Sequence, residues 1–99
     1  MIYHLVLFKM KPTATRKQVA ALERSWRGLR RHIPGLRSVE GGANISIENL
    51  AKGFNRAYVI TFTNEKARNT YVSHPKHAAL AHEKIRPIVD DVIVADVKA

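Results

Sequence analysis

A strand that is apolar on both faces constrains this chain more than any other feature. Residues 2 to 10 alternate so that Ile2, His4, Val6, Phe8 and Met10 point one way and Tyr3, Leu5, Leu7 and Lys9 the other. Both sets are largely hydrophobic, so both faces need a cover. A single layer of helices covers one face of a sheet. In a chain of 99 residues, one domain's worth, the other face calls for a sheet from a second subunit. Val89 to Val97 carries the same two-sided pattern.

The elements between these strands follow from turn and cap chemistry. Lys11-Pro12-Thr13 ends the first strand. Thr15, three residues before Gln18, forms a capping-box pattern, and Val19, Leu22, Trp26, Leu29 and Ile33 make one apolar stripe. The spacing predicts a helix from about Thr15 to His32, closed by Pro34-Gly35. Leu36 to Asn44 reads as a strand in which Gly41-Gly42 marks a bulge or a close backbone approach. A polar connection from Ile45 to Asn55 follows, then the clearest strand, 56 to 63, with Tyr58, Ile60 and Phe62 on one face. Asn64 caps a short helix to about Val72, His74-Pro75 interrupts, and a second short helix runs from Lys76 to Lys84. The order is β-α-β-β-α-β, an α+β ferredoxin-like arrangement with a split second helix, in a single domain over residues 1–99.

Composition removes several classes of chemistry. The chain has no cysteine, which excludes disulfides, thiolate metal sites and thiol nucleophiles and fits a reducing compartment. The first apolar run is too short to span a membrane and lacks the flanks of a signal peptide, so a soluble cytoplasmic protein is expected. Seventeen Lys and Arg against eight Asp and Glu give a formal charge of +9. Much of it, Arg16, Lys17, Arg24, Arg27, Arg30 and Arg31, lies largely opposite the apolar stripe of the first helix. Glu23 stands four residues before Arg27, the spacing of a helical ion pair. No stacking aromatics, helix-turn-helix or Gly-rich phosphate loop accompany this charge, so a solvated helix face is favoured over nucleic-acid binding.

Several pieces, in order, resemble the stress-responsive A/B barrel family: Ile2-Tyr3-His4-Leu5-Val6-Leu7-Phe8-Lys9, Ile33-Pro34-Gly35, Gly53-Phe54, Tyr71-Val72-Ser73-His74-Pro75-Lys76-His77, and Asp96. The most specific is His74-Pro75-Lys76-His77. The resemblance implies a homodimer whose two four-stranded sheets pack face to face as a dimeric α/β barrel. It also implies a pocket between sheet and helices, because a plant cyclase of that family closes a linear polyketide by aldol condensation in such a place. On this sequence the pocket's tyrosine and two histidines fall on Tyr71, His4 and His77. Its neighbours fall on Val6, Phe8, Leu22, Trp26, Tyr58 and Ile60. Asp96 stands one residue off the cyclase spacing and is given a supporting role, orienting a histidine.

Each candidate has a structural reading beside the functional one. His4 is either a core histidine satisfied by a carbonyl or a tyrosine, or an acid–base group at a pocket floor. Tyr71 is either an amphipathic core residue or the group that polarises a carbonyl. His77 either belongs to the helix break or abstracts a proton α to a carbonyl. His74 and Pro75 are assigned to the break itself. His74, His77 and His82 are spaced three and five apart without a zincin-type carboxylate, so no metal is expected, and no cofactor motif is present. The leading expectation is an aldol-type cyclase or lyase acting on a small hydrophobic carbonyl compound. His77 would then transfer the proton, His4 assist and Tyr71 polarise. The alternatives are a non-catalytic ligand-binding or stress-associated homodimer and, third, a basic-patch interaction module.

Overall fold

The computed structural model describes all 99 residues. Strand β1 (Ile2–Met10) is followed by helix α1 (Arg16–Gly28), strands β2 (Leu36–Ala43) and β3 (Arg56–Phe62), helices α2 (Glu65–Ser73) and α3 (Pro75–Leu80), and strand β4 (Val89–Lys98). The strands form one antiparallel sheet in the order β2-β3-β1-β4. This is the ferredoxin-like order predicted from the sequence, including the split second helix.

The local signals act where they were read, with three adjustments. Thr15 Oγ1 accepts the Gln18 N–H at 3.1 Å while Gln18 Oε1 accepts the Thr15 N–H at 2.9 Å, a complete capping box. The regular helix ends at Gly28, and Leu29–Arg31 tighten into a 3₁₀ turn instead of continuing to His32. Glycine is a weak helix former, and the tighter turn still seats Leu29 and Ile33 in the core. At the far end, α3 begins on Pro75 rather than Lys76, and after Leu80 the chain widens into a π turn over Ala81–Ile85. The Arg86 N–H reaches back five residues to the Ala81 carbonyl at 2.9 Å, just before Pro87. Third, Glu23 does not pair with Arg27; its partners lie on β3, as described below.

Two glycines are required by their surroundings. Gly35, at φ +88°, closes the turn after α1, and a Cβ there would stand 2.6 Å from that of Ala67. At Gly41 a Cβ would lie 2.3 Å from the Ala57 carbonyl and 2.5 Å from Tyr58 Cδ1. Within Gly41-Gly42 the close approach is therefore at Gly41, while the register irregularity in β2 falls between Leu36 and Ser38.

Residues directly opposite on neighbouring strands share a face. His4 pairs with Ile60 on one side and Asp96 on the other, Val6 with Tyr58 and Val94, and Phe8 with Arg56 and Val92. This is the helix side, where Leu22, Trp26, Leu29, Ile33, Tyr71 and Leu80 close the core. The other side carries Tyr3, Leu5, Leu7, Val59, Ile93 and Val97 with nothing over them in the single chain; Ile93 and Val97 are 44% and 48% exposed. β4 forms one edge, and even its helix-side Val92 and Val94 lie open.

Candidate active site

Strand register creates the first polar contact of the site. Because β4 runs antiparallel to β1 with His4 opposite Asp96, an imidazole and a carboxylate meet at the helix side of the sheet. His4 Nδ1 lies 2.5 Å from Asp96 Oδ1. The carboxylate's other oxygen accepts from the guanidinium of Arg68, on the first turn of α2. Burial acts to raise the Asp96 pKa, but the bonds from His4 and Arg68 outweigh it and hold the carboxyl below its ordinary value. An ionised carboxylate only accepts, so Nδ1 of His4 carries the hydrogen and a neutral ring keeps its lone pair on Nε2. That second nitrogen makes no hydrogen bond to the protein and is not sealed from solvent, although the residue as a whole is 7% exposed.

Tyr71 and His77 extend the cluster. The Tyr71 ring meets His4 edge-on at 5.8 Å between centroids and lies 4.4 Å from His77. Asn64, whose side chain accepts the Ala67 N–H at 2.9 Å, starts the helix that carries Arg68 and Tyr71 on one face. His74 ends α2 in an extended conformation and caps α3, its Nδ1 accepting the Lys76 N–H at 3.0 Å. Pro75 occupies the first turn of α3, where its missing N–H costs nothing, and His77 comes back over Tyr71. The Tyr71 oxygen accepts from Trp26 Nε1 at 2.9 Å, while its own hydrogen goes to no protein group. Burial pushes the Tyr71 hydroxyl up to about 12, against a smaller lowering by Trp26. For the half-buried His77, burial lowers the pKa, a backbone hydrogen bond at Val72 opposes it, and His4 when protonated lowers it further.

The structure thus brings His4, Tyr71 and His77 together and places His74 and Pro75 at the helix break. Val6, Phe8, Leu22, Trp26, Tyr58 and Ile60, expected around the pocket, lie together in the core on the helix side of the sheet. All six are buried, and Phe8, Trp26 and Tyr58 fill the space among themselves, with centroid separations of 4.8 to 5.8 Å. Large rings that interlock leave core where a smaller set would leave a void. Two concavities lie away from this cluster: about 660 Å³ beside Met10, Val19 and Arg56, and about 560 Å³ between α1 and α3.

Sequence reasoning missed Arg68, although its spacing of three before Tyr71 puts both on one helix face. It also missed a second polar cluster. Glu23 Oε2 accepts from Tyr58 Oη at 2.7 Å and from Arg56 Nη2 at 2.8 Å, and Arg56 Nε donates to Tyr58 Oη at 3.0 Å. Burial would raise the Glu23 pKa, but these bonds bring it below its usual value; burial also pushes Tyr58 up to about 12. No His, Asp and Glu residues gather in a group of three that could hold a metal ion.

A family model described as the stress responsive A/B barrel domain matches residues 2–99. The stress-response A/B barrel domain-containing protein HS1 of Arabidopsis thaliana is 27% identical over 97 residues, 98% of this chain and 88% of that protein. Olivetolic acid cyclase of Cannabis sativa is 25% identical over 76 residues, 77% of this chain and 75% of the cyclase. Among solved structures, an Arabidopsis thaliana protein superposes with a TM-score of 0.91 at 26% identity, covering 100% of this chain and 95% of that one. A dimeric ferredoxin-like protein from Jannaschia gives 0.85 at 22% identity, covering 99% and 98%. The hydroxynitrile lyase of Passiflora edulis gives 0.84 at 21% identity, covering 97% and 90%, a likeness of fold.

Proposed function

This chain belongs to the stress-responsive A/B barrel domain family, and from that premise we propose that His4, Asp96, Tyr71 and His77 form an acid–base site for a small carbonyl compound. The observation that carries this reading is the unspent half of His4: Nδ1 is held by an ionised carboxylate, and Nε2 is left without a protein partner at an unsealed position. A histidine used only for packing would have both nitrogens tied off or buried against apolar atoms. Here one nitrogen is oriented and the other is available as a base.

The chemistry follows from the contacts. In an aldol-type ring closure, His4 Nε2 takes the proton α to a carbonyl, and Asp96 stabilises the imidazolium through Nδ1–H. The Tyr71 hydroxyl, fixed by Trp26 and with its hydrogen free, donates to the developing enolate oxygen. The enolate carbon then bonds to a second carbonyl carbon, whose oxygen takes up a proton. His77, the more open of the two histidines, is suited to relay that proton. This assigns the base to His4 rather than His77, because the carboxylate is on His4. Cleavage of a hydroxynitrile needs the same groups: a base for the hydroxyl proton beside a developing carbonyl. The names of the cyclase and the lyase among the relatives support this substrate class.

The same reading includes a homodimer. The bare sheet face bearing Tyr3, Leu5, Leu7, Val59, Ile93 and Val97 is the kind of contiguous apolar surface that a second copy covers. The dimeric description of the Jannaschia protein supports it.

A second reading, a non-catalytic ligand-binding or stress-associated dimer, is favoured by one fact: Tyr71 is only 1% exposed. One experiment separates the two. The protein is incubated with linear poly-β-ketones and with cyanohydrins, and product is compared for the parent, His4→Ala, His77→Ala and Tyr71→Phe. Turnover that collapses in His4→Ala, with the circular dichroism unchanged, supports the acid–base site. Turnover equal in parent and His4→Ala sinks it.

A further inference from the structure

On the outer surface of the helical layer, away from the His4 cluster, α1 and α3 flank a groove of about 560 Å³. Its charge comes from both helices. Arg24 of α1 and Arg31 of the 3₁₀ turn that follows it line one wall, and Lys76 and Lys84 approach from the other. None of these four cations forms an ion pair; the chain's pairs are His4–Asp96, Arg56–Glu23, Arg68–Asp96 and Lys98–Glu65. A single carboxylate, Glu83, lies among them. Between the charges the floor is apolar, made by Leu29, Ala79 and Leu80. Gly28 sits midway between Arg24 and Arg31, and a Cβ added there would meet no atom within 4 Å. A second concavity lined by arginines adjoins it, sharing Arg24, Gly28 and Arg31.

We infer that this groove binds a small organic anion carrying two or more phosphoryl groups, with its less polar part on the Leu29–Leu80 floor. Four cations converging from two sides on a single carboxylate are costly by mutual repulsion and are relieved by a multiply charged anion. Guanidinium and ammonium groups together suit phosphate oxygens, the arginines in a bidentate manner. The groove's volume is that of a small-molecule site. A nucleic-acid strand fits less well, because Trp26 of α1 is 1% exposed and the groove offers successive bases only one ring to stack on, the imidazole of His32.

Gly28 makes the idea testable, since a side chain placed there fills the groove without changing any charge. Its φ of −63° is helical, so the backbone accepts the substitution. ATP and inorganic pyrophosphate would be titrated by calorimetry and amide chemical shifts at low ionic strength, against the parent, Gly28→Leu, Arg31→Glu and, as a control cation outside the groove, Arg37→Glu. The expected result is saturable ATP binding with shifts at Arg24, Gly28 and Leu80, weakened about tenfold or more, roughly 1.4 kcal/mol, by Gly28→Leu and Arg31→Glu but not by Arg37→Glu. Gly28→Ala serves as a second variant that keeps the helix and leaves most of the groove open. ATP binding equal in Gly28→Leu and the parent would overturn the proposal, as would shifts spread over all cations. Binding of a single-stranded RNA oligonucleotide that strengthens with length and ignores Gly28→Leu would overturn it in favour of a polymer.

Discussion

Two polar clusters on the helix side of one sheet are built from nearly the same parts and differ in what they leave unused. Arg56, Glu23 and Tyr58 form one, and Arg68, Asp96 and His4, with Tyr71 against the ring, form the other. Each has a carboxylate held below its ordinary pKa despite burial, an arginine on that carboxylate, and a tyrosine pushed up to about 12. In the first cluster the tyrosine donates to Glu23 and accepts from Arg56, so its hydroxyl is spent. In the second, His4 Nε2 and the Tyr71 hydrogen meet no protein partner. A perturbed tyrosine is thus no sign of reactivity by itself. What separates a clamp from a reactive site is whether proton-bearing atoms are left over after the internal bonds are counted.

The sharpest way to break this comparison is to remove the carboxylate or the base from each side. His4→Ala is expected to lower turnover of whichever carbonyl substrate is accepted by about 10²–10⁴-fold, the usual worth of a positioned acid–base group. Glu23→Ala is expected to leave turnover of the same substrate within a few-fold. Equal losses would mean that the two clusters are not distinct in role. Stability should show the reverse order. Glu23→Ala strands Tyr58 and Arg56 and should cost about 2–3 kcal/mol in denaturant unfolding. Asp96→Ala, at the open edge strand with its side chain 28% exposed, should cost about 1 kcal/mol or less.

The same contrast extends to pH. His77 has a folded pKa below its unfolded value, so its contribution to stability is full above about 6.5 and is lost as pH falls from there. Glu23 and Asp96, also lowered, lose theirs at more acid pH, below about 4. The tyrosines behave oppositely: their raised pKa keeps their contribution full below about 10 and loses it as pH rises towards 12. Unfolding curves of His77→Ala and the parent should therefore differ in pH dependence only on the acid side of neutrality. A difference that persists unchanged from pH 5 to 8 would contradict the lowered His77 pKa.

How far these clusters were legible in the sequence depends on where their partners lie along the chain. Alternation in residues 2–10 was enough to place His4, Val6 and Phe8 on one face, and the Thr15, Asn64 and His74-Pro75 signals set helix starts within a residue or two. His4–Asp96 needed the β1–β4 register, which residue pattern alone does not specify to one residue. Glu23 was misjudged because the spacing to Arg27 satisfies a helical rule, while its partners Arg56 and Tyr58 are more than thirty residues away. The same long-range closeness packs Tyr58 against Gly41 and against Trp26. Local chemistry was readable; contacts made by sheet register and by filling of volume were not.

The smallest predicted effect is the most direct test of what the two clusters do not share. With Asp96 ionised and bonded to Nδ1, a neutral His4 ring must hold its hydrogen on Nδ1, the less common tautomer of a free histidine side chain, and keep its lone pair at Nε2. Nitrogen chemical shifts and long-range couplings of a labelled sample report this without any substrate. Asp96→Asn presents an amide that can donate as well as accept, so the ring can reverse and the tautomer ratio should shift by an amount worth about 1 kcal/mol or less, with little change in stability. Glu23→Gln should leave the His4 signals where they are. A parent protein with Nε2–H on His4 would remove the free base and make this cluster as closed as the other.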